Sequence, residues 1–370
     1  MRIIHVVGLI SPKGDYGGPT RVATEDVAAL SARGHDVTIA AGTWGYDEIP
    51  TEIAGVRAKL FPARAPGRGG SLRGLFAPGL AAWLATQAGR TDVVHVHLGR
   101  DFVTMPAALA AKARGIPYVV QTHGMVMPSD KTPVKVLDRV STLPALRGAA
   151  KVFYLTPEER RGLLGLDSRL RIEFLRNGIH ADQTPRPVSE TPHEVLFLAR
   201  IQERKRPLDF VEMARRLAGE FPDVRFRMIG PDEGQGAAVR AAIDASGYTD
   251  RITWEGPIAP EATRSALEQA DVYVLPSVNE PYPMSVLESL AVGVPTVITT
   301  TCGLADLVRN GHAGAVVEAG VDTVTDAVRK LLASTEIRAA AATGAHDLAR
   351  NELDISTVAA ALENHYTSVR

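Results

Sequence analysis

Val272-Tyr273-Val274-Leu275-Pro276-Ser277-Val278-Asn279-Glu280-Pro281-Tyr282-Pro283-Met284-Ser285-Val286-Leu287-Glu288 is the stretch from which the fold can be read. Its first four residues are an apolar run too short for a helix and read as a buried strand. A polar loop follows, and then a helix that Pro283 is suited to open as its first residue. The free amides of Met284 and Ser285 then form an anion site at the helix start, facing the strand's carboxyl end. Seven residues separate Glu280 from Glu288. Glu288, one to two turns into the helix, is placed to accept from a pair of ribose hydroxyls, and Glu280, in the loop, from hydroxyls of a sugar. A plainer reading makes Glu280 a capping acid and Glu288 a solvated charge. The continuation Ser289–Thr296 is too apolar for a surface helix, so a carboxylate embedded in it needs a partner.

The same alternation of short apolar runs and helical patterns extends through the chain, as expected of βα units feeding parallel sheets. In the first half the strand candidates are Ile3–Val7, Val37–Ala40, Val93–Val96, Tyr118–Gln121 and Val152–Leu155. Helix patterns lie between them, among them Arg21–Arg33, ended by Gly34, and one opened by the cap Thr156 with Pro157 behind it. The polar, proline-bearing stretch 181–193 reads as a linker between an N-terminal domain, 1–180, and a C-terminal domain, 194–355. Residues 356–370 form a last helix that can pack on either domain. In the second half the strands are Val195–Leu198, Arg225–Ile229, Ile252–Trp254, Val272–Leu275, Thr296–Ile298 and Ala315–Val317. The expected fold is thus α/β, with two Rossmann-like, doubly wound domains facing a central cleft.

Composition narrows the chemistry. With 370 residues, 41 Lys plus Arg and 42 Asp plus Glu, the chain offers no overall field for nucleic acid, so any anion site must be local. Cys302 is the sole cysteine, which precludes an intrachain disulfide and fits a reducing, cytoplasmic setting. No apolar run is long enough to span a membrane. Arg57, Lys59, Arg64, Arg68 and Arg73 leave two readings open: peripheral contact with an anionic membrane face or lipid diphosphate, or a solvated loop.

Three further sites stand at strand ends. Leu198-Ala199-Arg200-Ile201-Gln202-Glu203-Arg204-Lys205-Arg206-Pro207 closes the first strand of the second half, and Arg200 and Lys205 suit a diphosphate. Gly14-Asp15-Tyr16-Gly17-Gly18-Pro19-Thr20 follows the first strand; Gly17 and Gly18 allow close approach of a ligand or simply make a tight turn. Gln121-Thr122-His123-Gly124 ends another strand, with His123 a candidate donor to a phosphate or sugar hydroxyl. His95 and His97 share one face of a strand like half of a metal site, but no third ligand stands at a convincing spacing, so no metal is expected there. D-x-D triplets are absent from the chain, so a metal bridge to a diphosphate is not suggested either.

Taken in order, these motifs resemble glycosyltransferase family 4, whose members have the GT-B fold. The resemblance covers nearly the whole chain. Gly17 and Gly18 look like the family's acceptor-side loop, and His123 falls where it places a histidine near the donor sugar. Arg200 and Lys205 match its diphosphate-holding pair; Glu280 and Glu288 match its E-x7-E element, facing the sugar and the ribose respectively. Asn177-Gly178-Ile179 resembles the segment ending the N-terminal domain. Pro283-Met284 and Thr122-His123-Gly124-Met125 are similar to the branch that builds capsular polysaccharides and exopolysaccharides. Pro283 replaces a glycine common in the family, and His180 an aspartate. The resemblance implies a retaining hexosyltransferase that takes a UDP- or GDP-linked sugar to a small or lipid-linked acceptor, in polysaccharide, glycolipid or glycosylated-metabolite synthesis, without a cofactor. A nucleotide-sugar epimerase and a noncatalytic nucleotide-sugar-binding protein are the alternatives on the same fold.

Overall fold

The computed structural model describes residues 1–12, 17–64, 74–259 and 261–370, and the chain divides into two compact units. The first comprises Met1–Gly178 with Ile355–Arg370, the second Ile179–Asp354.

In the first unit the strands are β1 (Arg2–Ile10), β2 (Asp36–Thr43), β3 (Glu52–Ile53), β4 (Val56–Pro62), β5 (Val93–His97), β6 (Tyr118–Gln121), β7 (Lys151–Tyr154) and β8 (Ile172–Phe174). They form one sheet in the order β3-β4-β2-β1-β5-β6-β7-β8, parallel throughout except for the edge pair β3–β4. Strands in the middle of such a sheet are covered on both faces, which is why β1 and β5 are buried almost from end to end, their histidines His5, His95 and His97 included. One face packs Val6, Val94 and Val120 against the helix Thr104–Ala113. The other packs Ile3, Val7 and Val93 against the helices Gly18–Ala32 and Ile355–Thr367. The last helix buries Ile355, Val358, Ala359, Leu362 and Tyr366, a spacing of three and four that makes a single apolar stripe. It therefore completes the core of the unit in which the chain began.

β4 lies where a basic loop was one of the two expectations. Val56, Ala58 and Leu60 point inward while Arg57 and Lys59 point out, so these two cations are the polar face of an ordinary amphipathic strand. Arg68 and Arg73 lie outside the described residues.

The second unit holds β9 (Glu194–Leu198), β10 (Arg225–Ile229), β11 (Ile252–Trp254), β12 (Val272–Leu275), β13 (Thr296–Thr299) and β14 (Gly314–Val317). All pairings are parallel, in the order β11-β10-β9-β12-β13-β14. This is the doubly wound order 3-2-1-4-5-6, and its reversal falls between β9 and β12.

The stretch 181–193, expected as a linker, is part of this unit. The reason is polar: the backbone of an irregular segment needs partners, and Arg338 supplies them from a fully buried position. Its guanidinium donates to the carbonyl of Ser189 at 2.6 Å and to that of Leu331 at 2.7 Å. Arg186 donates in turn to the Ala270 carbonyl at 2.6 Å. Truncating Arg338 removes the partner of the Ser189 and Leu331 carbonyls, so Arg338→Ala should destabilise the second unit by about 3 kcal/mol. Urea unfolding followed through Trp254 tests this, and an unchanged midpoint would mean that the segment is held by other contacts.

Candidate functional site

At the reversal between β9 and β12 the two loops that leave the strand ends are joined. The amide of Val278 donates to the carbonyl of Arg204 at 2.9 Å. Around this link the side chains of Lys205 and Glu280 meet, with Nζ 2.7 Å from Oε2 and both groups almost wholly buried. Arg204 adds a second cation, its Nη2 3.4 Å from the same carboxylate oxygen. Burial pushes the pKa of Lys205 down, and Glu280 opposes that shift.

The backbone is bent to make the meeting happen. Arg206, directly after Lys205, has φ 54°, and Asn279, directly before Glu280, has φ 51°. Left-handed backbone costs a non-glycine residue about 1 kcal/mol, so both loops hold strain that the surrounding bonds must offset. Those bonds are the Asn279 amide to Thr301 Oγ1 at 3.2 Å and the Gly303 amide to the Glu280 carbonyl at 2.8 Å. Ser277 is buried in the same loop, and its Oγ has no hydrogen-bond partner. Burial pushes the thiol of Cys302, close by, up to about 12.

Arg200 behaves differently from Lys205. It is half exposed and pairs at 2.9 Å with Glu233, which follows β10. Gly230 brings these two strand ends together, because a Cβ at its φ of 148° would run into the carbonyl of Ala199. A bound anion would compete with Glu233 for the Arg200 guanidinium, whereas Lys205 already has its partner.

Pro283 does not open the helix as its first residue. It is the N-cap, in extended conformation, and the helix is Met284–Ala291. A proline loses nothing there, since the N-cap contributes its carbonyl, which accepts from the Val286 amide at 3.1 Å. Met284 and Ser285 are thus the first two helical residues, and the Tyr273 hydroxyl bridges Ser285 Oγ at 2.7 Å and the Leu198 carbonyl at 3.2 Å. Glu288 stands in the second turn, half-buried, while Val286, Leu287, Ser289 and Leu290 beside it are buried.

His123, Gly17 and Gly18 belong to the first unit. Gly17, at φ 63°, is the N-cap of the helix Gly18–Ala32, and Thr20 Oγ1 ties that helix start to the Leu9 carbonyl at 2.9 Å. Gly14, Asp15 and Tyr16 lie outside the described residues. His123 has φ 49°, and its Nε2 is 2.8 Å from Nδ1 of His97. Burial pushes its pKa down to about 3, and the residue as a whole is partly exposed.

Sequence reasoning missed Arg204, Glu233, Ser277 and His5. Glu233 could have been found as an acid just beyond a strand's carboxyl end. His5 could not, because only the sheet order reveals that β1 lies beside β5 and sets His5 opposite His95.

Comparison with known proteins decides what this scaffold is. Residues 17–178 match the glycosyl transferase 4-like domain, and residues 180–347 match the glycosyl transferases group 1. The 2-deoxystreptamine N-acetyl-D-glucosaminyltransferase of Streptomyces fradiae is 30% identical over 334 residues, covering 78% of this chain and 78% of that one. The chain belongs to the GT-B glycosyltransferases. A D-inositol 3-phosphate glycosyltransferase of Paenarthrobacter aurescens is 28% identical over 255 residues, 62% of this chain and 61% of its own length. The crystal structure of Anabaena HepE in complex with UDP and glucose shares the fold of this transferase at a TM-score of 0.74, with 17% identity and both chains covered in full. Among the described residues of the glycosyltransferase, no helix is long and apolar enough to cross a membrane.

The two cations of the transferase should separate on substitution. Lys205→Ala leaves the buried Glu280 carboxylate with only the more distant Arg204 and should lower stability by about 3 kcal/mol, while Arg200→Ala, at the surface, should stay within about 0.5 kcal/mol. Adding Glu280→Gln to Lys205→Ala should recover part of the loss, because no unpaired charge then remains. Thermal melting of the three variants checks this; equal melting points for the two single variants would show that Lys205 and Glu280 do not depend on each other.

Proposed function

We propose that this glycosyltransferase moves a hexosyl unit from a UDP- or GDP-linked sugar to a hydroxyl of a small cyclic polyol, with retention and without a metal ion. The observation that carries this reading is the cation cluster Arg200, Arg204 and Lys205 at the strand reversal of the second unit, beside the helix start at Met284 and Ser285. Charge gathers on the diphosphate as the glycosidic bond breaks, and preorganised cations and amides stabilise that charge most in the transition state. Arg200 is suited to the diphosphate, since its fork is half exposed and Glu233 holds it in place until an anion arrives. Glu280, held by Lys205, accepts from sugar hydroxyls; Glu288 accepts from the ribose; His123 donates to the transferred sugar. Gly17 and Gly18 belong to the acceptor side. These assignments follow the family pattern residue by residue.

Electron flow balances without a cofactor. The electrons of the anomeric C–O bond leave with the diphosphate, the acceptor oxygen bonds to the same face of the anomeric carbon, and its proton passes to the departing phosphate oxygen. The acceptor class is drawn from the relatives: 2-deoxystreptamine and inositol 3-phosphate, which their names specify, are both six-membered polyhydroxylated rings. That favours a glycosylated metabolite over the polysaccharide suggested by Pro283-Met284. UDP is the first donor base to test, since HepE holds UDP and glucose on this fold.

The test is release of nucleoside diphosphate from UDP- and GDP-hexoses with inositol phosphate, 2-deoxystreptamine or oligosaccharide acceptors, with product configuration read by proton NMR. The expected result is acceptor-dependent turnover of one nucleotide, a product anomer matching the donor, and an unchanged rate in EDTA. An inverted anomer, or activity lost to EDTA and restored by Mn²⁺, would overturn the mechanism. Conversion of the donor without any acceptor would point to the epimerase, and binding without turnover to the sensor.

Arg200→Ala should lower kcat at least roughly tenfold, as expected for loss of a charged hydrogen bond that strengthens in the transition state, and Lys205→Ala should do so by releasing Glu280 from its position. Arg200→Lys should recover only part, because an ammonium lacks the planar fork. Steady-state kinetics on folded protein decides the point: a wild-type kcat in both alanine variants would remove the cluster from the transfer step.

A further inference from the structure

The first sheet buries a row of imidazoles that the glycosyl-transfer chemistry does not use. His5 on β1 stands opposite His95 on β5, and His97 lies two residues further along the same face. All three are fully buried, as is Tyr366 from the last helix. Their nitrogens form a continuous chain. His123 Nε2 lies 2.8 Å from His97 Nδ1, and His97 Nε2 lies 3.1 Å from His5 Nδ1. His5 Nε2 is 3.1 Å from the Tyr366 hydroxyl, which is 2.7 Å from His95 Nδ1. The chain stops there, because the buried His95 Nε2 has no partner.

Burial keeps all four rings neutral at ordinary pH, and Asp26, whose charge would act on Tyr366, is itself pushed up to about 8 by burial. A neutral imidazole has one N–H and one lone pair, so when both nitrogens are engaged the bonds must all run one way. Three arrangements are open, because the Tyr366 hydroxyl can donate to either ring or accept from both. If Tyr366 donates to His95 Nδ1, the proton of His95 sits on Nε2 as a buried donor with no acceptor. If the Tyr366 hydroxyl accepts from both rings, its own proton is orphaned instead. Only the direction in which His95 Nδ1–H donates to Tyr366 and Tyr366 donates to His5 Nε2 leaves no orphaned donor, just a bare lone pair on His95. Orphaned buried N–H groups are the costlier and rarer kind. The direction then runs on: His5 Nδ1–H donates to His97 Nε2, and His97 Nδ1–H donates to His123 Nε2.

We propose that this one-way chain fixes His123 as its Nδ1–H tautomer, so that the ring presents a neutral hydrogen-bond donor from a preset orientation, with His97 as the positioning residue. The use of that donor on the transferred sugar rests on the function proposed above; the tautomer does not. A metal ion on His5, His95 and His97, whose ligand nitrogens lie within 4.8 Å of one another, is the competing use of the cluster. It would consume the lone pairs that the chain needs and break the bond between His5 and His97.

The experiment is long-range proton–nitrogen NMR on protein labelled with ¹⁵N-histidine, with His123 assigned by substitution, together with metal analysis. Wild type should show His123 protonated at Nδ1, and Tyr366→Phe should leave it so, because the chain then ends on a bare His5 Nε2. His97→Phe, which keeps a ring in the stack but no nitrogen, should give a mixture of tautomers and lower kcat roughly tenfold while KM for the donor holds. His97→Asn, whose amide N–H can replace Nδ1–H, should restore both the tautomer and most of kcat. His123 found protonated at Nε2 in wild type, or stoichiometric zinc bound to the three histidines, overturns the proposal. The Nδ1–H tautomer in a protein that turns over no nucleotide-sugar would sink the functional reading and leave the chain standing.

Discussion

Moving an ammonium and a carboxylate out of water costs several kcal/mol per ion, and their mutual attraction recovers this only when loop geometry holds them together. The Lys205–Glu280 pair imposes that demand on the second unit. Around it stand two left-handed residues, the backbone bond between Val278 and Arg204, the capping of the Asn279 amide by Thr301, and the turn at Gly303. Each is understandable as a device that keeps the two charges from drifting apart. In such an arrangement the pair itself adds little net stability, but it makes any other loop arrangement expensive. A site for a sugar needs hydroxyl acceptors fixed to within a fraction of an ångström, and a buried counter-ion is one way to fix a carboxylate.

The first unit meets the same need by the opposite means. Its buried polar row carries no charge, since burial drives every histidine in it to the neutral form. Position is set by hydrogen-bond direction rather than by attraction between ions. A neutral chain is cheap to bury when its buried donors are all used, and in the proposed direction the buried nitrogen left without a partner, His95 Nε2, is an acceptor.

How much of this was legible in the residues follows from what kind of information each feature needs. The two doubly wound units were readable because fully covered parallel strands leave short apolar runs such as Val272–Leu275, and helix caps such as Thr156 punctuate them. Arg200, Lys205, Glu280 and Glu288 were readable as candidates because they lie just beyond strand ends. Their partners were not. That Lys205 meets Glu280 and Arg200 meets Glu233 depends on which strands are neighbours, and strand order is not encoded in local pattern. His5 stayed hidden for the same reason. Pro283 was misplaced by one position because its fixed φ suits both the N-cap and the first helical turn, and only ψ separates the two. The stretch 181–193 looked like a linker from its prolines and polar residues, while the arginine that anchors it sits far along the chain at 338.

The last helix carries a consequence for how the chain is made. Ile355–Thr367 supplies Val358, Ala359, Leu362 and Tyr366 to the core begun by β1. On the ribosome these side chains emerge only after the whole second unit has left the exit tunnel. The second unit, built from one continuous stretch, can close as it is synthesised; the first must wait with an uncovered apolar face and an open end to its histidine row. Synthesis therefore reverses the order of the sequence: the unit translated second can be finished first, and the first closes only when Ile355–Thr367 packs onto it.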